Sequence, residues 1–227
     1  MKQSLSRPRH VLVLLMLLLS ASAKADVWET PRVKTYFSNN RSYKLIVTPS
    51  KTPEKHYQWQ NYKNNWHPQT KRVLKQKEKF MNDITASDTI VIPCSAQLYK
   101  NIGSDSILVW RKKLLNYTSP VHAIVADDGS SIATFDNWYS TGYGGNVFVV
   151  YNEKGEARRT YKLEEFSPFP LNDYLLSISS IFWRKSVRYI DNERIEIEFE
   201  NGNKVIRTRI YDVGRLMFEE RKFESSK

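Results

Sequence analysis

Between Ser119 and Leu163 the chain alternates four short apolar runs with residues that favour turns. Asp127-Asp128-Gly129 follows the first run, a glycine-rich stretch follows the second, and Asn152-Glu153-Lys154-Gly155 follows the third. Asp and Gly readily adopt the left-handed backbone of tight turns, and apolar runs of this length between turns are typical of strands. The pattern therefore predicts a four-stranded antiparallel meander, with strands at Val121–Ala126, Ile132–Trp138, Val147–Tyr151 and Arg158–Leu163.

The same pattern recurs on both sides of this segment. Val33–Val47 and Val187–Phe199 align with its first two strands, with Ser38-Asn39-Asn40 and Asp191-Asn192-Glu193 in place of the acidic turn. An apolar run that ends at Tyr and then turns at Gly also recurs, and a charged strand follows it each time. We therefore predict an all-β protein of three tandem four-stranded antiparallel meanders. They occupy residues 26–118, 119–165 and 187–227, with an insertion at 51–84, a linker at 166–186 and a charged tail.

Repeated meanders with an Asp-Gly turn after the first strand resemble the blades of β-propeller proteins of the WD-repeat and TolB-like kind. Val109-Trp110-Arg111 stands where a WD repeat carries Trp-Asp, but here the aspartate is absent. The middle copy is also similar to uncharacterised secreted bacterial proteins with a DDG…TFDNW segment, a resemblance that implies no activity. Propellers close with roughly four to eight blades. The resemblance therefore implies a partial propeller, or a ring completed by a homodimer, and a β-sandwich is the alternative.

Residues 1–25 have the pattern of a secretory signal peptide. Basic residues precede the apolar run Val11–Leu19, and small residues follow it up to Ala25. The apolar run is too short to span a bilayer, and small-x-small cleavage signals come directly after it. We therefore expect a secreted or periplasmic bacterial protein that begins at Lys24 or Asp26 and has no transmembrane segment after cleavage.

The chain contains one cysteine, Cys94. A lone cysteine has no partner for an intrachain disulfide in an oxidising compartment. Cys94 lies in an apolar alternating stretch, and apolar surroundings raise the pKa of a thiol. We therefore expect a buried, unreactive side chain rather than a catalytic thiol.

Positive charge is concentrated in the insertion. The whole chain has a net charge of +11, and residues 51–79 alone hold eight basic and two acidic residues. Its candidate residues for binding a polyanion or a glycan are Trp59, Trp66, Lys71, Arg72 and Lys75, and a short helix is predicted at Thr70–Asp83. Cations interleaved with aromatics suit such ligands. Because the protein is exported, we expect envelope glycans, anionic polymers or lipid head groups rather than nucleic acid.

Two other interpretations of the insertion stay open. In the simpler one, Trp59 and Trp66 pack onto the first meander while the lysines remain in water, because aromatic side chains bury readily. In the other, the protein is an inhibitor or assembly factor that acts through the insertion.

The loop between the second and third strands of the middle meander is the second candidate site. It contains Asp136, Asn137, Trp138, Tyr139 and Tyr143, together with three glycines. Loops on a rigid scaffold commonly bind ligands, and these aromatics can stack on a sugar or a peptide. The alternative, which the sequence alone favours, is that Trp138 and Tyr143 fill the gap between neighbouring meanders.

The sequence gives no pattern for catalysis, a metal or a cofactor. His122 precedes Asp127 and Asp128, but no G-x-S-x-G segment accompanies it. The histidine spacings do not match a zinc motif, and the aspartate spacings do not match a calcium loop. We therefore expect a non-enzymatic binding or scaffolding protein of the cell envelope, with an unknown envelope protein, peptide or glycan as its partner. An extracytoplasmic hydrolase that uses His122 and the nearby acids is the alternative.

Overall fold

The computed structural model describes residues 28–51, 92–177 and 179–219. The chain forms two compact units, Met1–Thr30 and Pro31–Lys227, and every element named below belongs to the second. The expected signal peptide, the insertion from residue 52 onward with its short helix, and the tail from residue 220 lie outside the described residues.

The first sheet consists of strands that pair antiparallel in chain order. It contains β1 (Lys34–Phe37), β2 (Tyr43–Thr48), β3 (Ser95–Ile102) and β4 (Asp105–Lys113). The turn between β1 and β2 is closed by the side chain of Asn40, whose amide oxygen accepts hydrogen bonds from Ser38 Oγ (2.8 Å) and the Ser42 N–H (2.9 Å). Short polar side chains that bond to nearby backbone favour turns, which explains why this Asn-rich stretch replaces the Asp-Gly turn.

The middle sheet has the same order. It contains β5 (Pro120–Val125), β6 (Ser131–Asn137), β7 (Phe148–Asn152) and β8 (Ala157–Tyr161). Gly129 and Gly155 have φ of 73° and 72°, so both turns use the left-handed backbone that their sequences indicate. Strand β8 ends two residues earlier than expected, because Leu163 begins a short helix, α1 (Leu163–Phe166). The Lys162 N–H donates to the Glu165 carboxylate at 2.6 Å and caps this helix.

The third sheet follows a connection that contains structure of its own. After a 3₁₀ turn at Leu171–Asp173, β9 (Leu175–Leu176) and β10 (Ile181–Phe182) form a small two-stranded sheet, where the sequence analysis predicted a linker. The third sheet then contains β11 (Arg184–Tyr189), β12 (Arg194–Glu200), β13 (Ile206–Asp212) and β14 (Met217–Phe218). The all-β prediction is confirmed, and the described chain has four antiparallel sheets of four, four, two and four strands.

The middle sheet has a hydrophobic core on each face. Along β6, Ile132 faces a core shared with the first sheet, whereas Ala133 and Phe135 face a core shared with the third sheet. Successive side chains of a strand point to opposite faces, so burial on both faces requires the near-continuous apolar runs seen here. The first core includes Leu45, Val47, Leu98, Trp110, Val149 and Tyr151, and the second includes Phe148, Trp183, Ile195, Ile197, Phe199 and Tyr211.

Cys94 belongs to the first of these cores. Its side chain is buried, and burial raises the pKa of its thiol to about 12. The prediction that Cys94 is buried is therefore confirmed, and the raised pKa disfavours the thiolate form that a catalytic thiol needs.

The three turns that the sequence repeat aligned are joined to one another by hydrogen bonds. The Asn40 N–H donates to Asp127 Oδ1 (2.8 Å), and Asn40 Nδ2 donates to the Asp127 carbonyl (3.0 Å). The Asp127 N–H in turn donates to Asn192 Oδ1 (3.0 Å). Strand β5 also lies beside β1 and beside β11. The first strands of the three large sheets are therefore neighbours, and their turns meet at one end.

Gly155 is expected to be essential to the packing of the first sheet on the middle sheet. A Cβ added at Gly155 would lie 2.8 Å from the Trp110 ring, and its φ of 72° is unfavourable for other residues. We expect Gly155→Ala to lower the free energy of unfolding by about 2 to 4 kcal/mol, measured by urea denaturation. Gly103 is the matched control, because it has φ of 59° but no atom within 4 Å of an added Cβ. Gly103→Ala should cost only the backbone strain, about 1 to 2 kcal/mol. Equal losses in the two variants would contradict this account.

Candidate functional site

Charged and aromatic side chains from the first strands of all three large sheets lie beside Phe135 and Trp138. Lys34 and Tyr36 come from β1, His122 from β5 and Arg184 from β11, and we call these four residues the first-strand cluster. The Arg184 guanidinium lies 5.3 Å from the centre of the Phe135 ring. The His122 ring lies 6.5 Å from that ring and meets the Tyr36 ring edge-on at 5.6 Å. Three segments that are distant in sequence therefore converge here.

Asp136 is a buried acid that connects the aromatic loop to the start of the third large sheet. Its Oδ1 accepts hydrogen bonds from Trp183 Nε1 (2.8 Å) and from the Gly142 N–H (2.8 Å). Its Oδ2 lies 3.4 Å from Arg184 Nη2. Burial raises the pKa of Asp136, whereas the Arg184 charge and the two hydrogen-bond donors oppose that rise. The residue also has φ of 60°, an uncommon conformation for a residue other than glycine.

The electrostatics of the cluster are dominated by burial and by Arg184. Burial, followed by the charges of Arg184 and Lys34, lowers the pKa of His122 to about 4, so the imidazole is neutral at pH 7. Burial and the Arg184 charge also lower the pKa of Lys34. Burial raises the pKa of Tyr36 to about 12, which keeps its hydroxyl protonated. At neutral pH the cluster therefore presents two cations, a neutral imidazole and a phenol.

Several buried polar atoms here have no hydrogen-bond partner among the residues that the structure describes. They are Tyr36 Oη, Arg184 Nη1 and Asp136 Oδ2, the last of which has only its 3.4 Å ion pair. Buried polar groups in proteins nearly always have a partner, because leaving one unpaired costs about 1 to 3 kcal/mol. Three such atoms at or beside the cations Lys34 and Arg184 distinguish the first-strand cluster from an ordinary hydrophobic core.

The residues of the predicted loop site are divided by the structure into buried and accessible groups. Asp136 and Asn137 are buried, and Asn137 Oδ1 accepts a hydrogen bond from the Tyr117 N–H (3.3 Å). Trp138, Tyr139 and Tyr143 are half-buried. The Lys34 ammonium lies 4.5 Å from the centre of the Trp138 ring, so the loop adjoins the first-strand cluster through this contact.

The loop is fixed from its other side by the small sheet. The Ile181 N–H donates to the Thr141 carbonyl at 2.9 Å, and a Cβ added at Gly142 would lie 2.7 Å from the Ile181 Cβ. The absence of a side chain at Gly142 therefore allows the loop and β10 to approach closely, while its N–H reaches Asp136. The other predicted site, for a polyanion or a glycan, lies wholly outside the described residues. Its members are Trp59, Trp66, Lys71, Arg72 and Lys75.

The geometry offers little support for hydrolysis by His122. Its predicted partners, Asp127 and Asp128, lie beyond the end of β5 at Val125. The three residues of extended strand from His122 to Val125 alone span about 10 Å. Asp127 participates in the hydrogen bonds between turns, and Asp128 Oδ1 accepts the Ser130 N–H at 2.9 Å. Among the residues that the structure describes, His122 has no hydrogen bond to a hydroxyl, a thiol or a carboxylate that would activate a nucleophile.

Sequence reasoning missed Arg184, Trp183 and Asn116. Asn116 is buried, donates to the Asp136 carbonyl (2.9 Å) and accepts from Thr134 Oγ1 (2.7 Å), so it supports the end of β6. An alignment of the first strands does offer a signal, since it superposes Lys34 on His122 and Arg188. In the third sheet, however, this alignment selects Arg188, which is not part of the cluster and pairs with Glu196 at 2.7 Å. A bulge in β11 between Arg184 and Ser186 changes the register, so the alignment does not find Arg184.

Comparison with known proteins does not extend this description. No protein-family model matches the chain, and no curated protein is significantly similar to it. Within residues 28–51, 92–177 and 179–219, no helix is long and apolar enough to cross a membrane. The same ranges contain no group of three or more His, Cys, Asp or Glu side chains placed to hold a metal ion.

Removal of the Asp136 carboxylate should be among the most destabilising single changes. Asp136→Ala leaves the Arg184 charge buried without its counterion, and it removes the acceptor of Trp183 Nε1 and the Gly142 N–H. We expect the free energy of unfolding to fall by about 3 to 5 kcal/mol in urea denaturation. Glu196→Ala is the control, because it breaks a surface ion pair with Arg188 and should change stability little. A small effect at Asp136 would show that its ion pair and hydrogen bonds are dispensable.

His122 should make the fold sensitive to acid. Its pKa is lowered from 6.5 to about 4 in the folded state, so the unfolded chain binds a proton first as the pH falls. Stability from the neutral imidazole is therefore complete above pH 6.5 and is lost between pH 6.5 and 4. Because the ring is partly exposed, we expect a loss of about 2 kcal/mol rather than the full value of the shift. His122→Gln should flatten the dependence of unfolding free energy on pH over this range, and an unchanged slope would contradict the assignment.

Proposed function

We propose that the chain is a non-enzymatic binding or scaffolding protein of the cell envelope, exported by the signal peptide at residues 1–25. The observation that carries this proposal is the first-strand cluster, which gathers charged and aromatic groups at one place on a rigid β-scaffold. The described residues there lack the nucleophile and oriented base that a hydrolase needs. The partner would be an envelope protein, a peptide or a glycan.

In this proposal the three four-stranded sheets are blades of an open, partial propeller. Propellers arrange their blades around a central channel. Two observations support that arrangement: β5 lies beside β1 and β11, and hydrogen bonds join the turns at Asn40, Asp127 and Asn192. The first-strand cluster would then face the centre of the propeller, which is a common position for a binding site.

Trp138 and Tyr139 would supply the surface on which the ligand packs. Both are half-buried, and both follow Asp136, whose contacts with Trp183 and Gly142 fix the path of the backbone. Aromatic side chains held on a rigid backbone lose little conformational entropy when a ligand stacks on them. Lys34, at 4.5 Å from the Trp138 ring, adds a polar contact at the edge of the same surface.

A thermal-shift screen of the purified chain tests this proposal. The panel contains neutral and acidic oligosaccharides, peptidoglycan fragments and short peptides, and we expect one class to raise the melting temperature as its concentration increases. Trp138→Leu should abolish that rise. Tyr99→Leu is the matched control, because Tyr99 is another half-buried aromatic beneath a lysine, with Lys44 Nζ 5.3 Å from its ring, on the first sheet. The proposal fails if no class shifts the melting temperature, or if Trp138→Leu and Tyr99→Leu behave alike.

A further inference from the structure

The first-strand cluster has one more positive charge than its described acid can offset. Lys34 and Arg184 each carry a charge, and Asp136 is the acid that pairs with Arg184. Lys34 Nζ donates to the Val121 carbonyl at 3.4 Å and lies over Trp138, so both of its described contacts are uncharged. His122 is neutral at pH 7. The balance therefore favours a ligand group with a single negative charge.

The donors in the cluster suit a flat oxyanion. Arg184 Nη1 and Tyr36 Oη are buried and have no hydrogen-bond acceptor in the described part of the chain, and Lys34 Nζ has donor capacity beyond Val121. The Arg184 side chain keeps 15 % of its surface exposed, so it lies near the surface although Nη1 itself is buried. A guanidinium presents parallel N–H groups that match the two oxygens of a carboxylate.

We propose that the first-strand cluster binds a carboxylate group of the ligand through Arg184 and Lys34, with Tyr36 as a further hydrogen-bond donor. This inference rests on the proposed binding function and names the chemistry of its ligand. Trp138 then packs against the uncharged part that carries the carboxylate. A carboxylate fits better than a phosphate monoester, because the monoester at neutral pH brings nearly two charges where one is needed.

Two sources of carboxylate are distinguished by titrating the purified chain with matched pairs of small molecules in carboxylate-free buffer. One pair is N-acetylglycylglycine and its C-terminal amide, which represent the end of a peptide. The other pair is glucuronate and glucose, which represent an acidic and a neutral sugar. We expect at least one carboxylate to bind and its neutral analogue not to bind, measured by tryptophan fluorescence and melting temperature.

His122 reports on the bound charge independently of fluorescence. The positive charges of Arg184 and Lys34 help to lower its pKa, and a carboxylate beside them would offset both. The His122 pKa, followed by NMR, should therefore rise from about 4 when the carboxylate is bound. Binding elsewhere on the protein would leave it unchanged and would overturn the proposed location.

Variants separate binding from folding. Lys34→Gln removes a half-buried cation without exposing a buried partner, and it should weaken carboxylate binding about tenfold or more. Arg184→Lys keeps the charge that Asp136 needs but loses the planar fork, and it should also weaken binding. Arg159→Gln is the matched control: Arg159 also stacks on an aromatic ring, that of Tyr161 at 5.1 Å, but on the outer strand β8, so affinity should not change.

The outcomes distinguish this inference from the broader function. If a neutral glycan or peptide binds and its carboxylate analogue has no advantage, the carboxylate site is wrong and the binding function stands. If Lys34→Gln retains full affinity while remaining folded, the carboxylate site is likewise wrong. If no member of the thermal-shift panel or of these pairs binds, both proposals fail.

Discussion

The buried carboxylate of Asp136 is the interaction on which the candidate site depends. Burying a charge is unfavourable unless hydrogen bonds and a counterion compensate for it. Gly142 provides part of that compensation from the aromatic loop, and the adjacent residues Trp183 and Arg184 provide the rest. Arg184 begins the third large sheet and Trp183 directly precedes it, whereas Asp136 lies near the end of β6 in the middle sheet. The same carboxylate therefore joins two sheets, fixes the path of the aromatic loop and holds the guanidinium of the first-strand cluster.

The middle sheet lies between the other two large sheets because it has two apolar faces, whereas each of the others has one. The middle sheet is buried on both faces, and the outer two each contribute one face to a core. On the third sheet the other face carries ion pairs such as Arg188–Glu196, while Ser186 donates to the Glu198 carboxylate. The polar side chains of this face pair with one another and remain in contact with water, so the face does not need another sheet to cover it. The same polarity argues against a second copy of the chain packing on that face.

Much of the fold follows from local signals, whereas most of the site does not. Gly129 and Gly155 could be recognised as turns because their sequences favour left-handed backbone. The full burial of β6 and the period-two burial of β12 could be recognised because each depends on the order of apolar and polar residues within one strand. The small sheet β9–β10 lies within the predicted linker at residues 166–186. Its pairing could not be predicted, since each strand has only two residues and nearby prolines suggested a connection. Arg184 was missed because its importance comes from Asp136, which is distant in sequence, and from a bulge that alignment cannot locate.

The repeat brings the cluster together, but departures from the repeat give it its chemistry. If the three first strands were identical, their neighbouring positions would carry identical charges and would repel one another. Here the strands contribute an ammonium group, an imidazole that burial keeps neutral, and a guanidinium partly neutralised by Asp136. That mixture lets basic groups share a small space, and it leaves one positive charge in excess. Arg184 consequently has two roles that limit each other, since a stronger pairing with Asp136 would stabilise the fold while reducing the attraction that the cluster can exert on an anion.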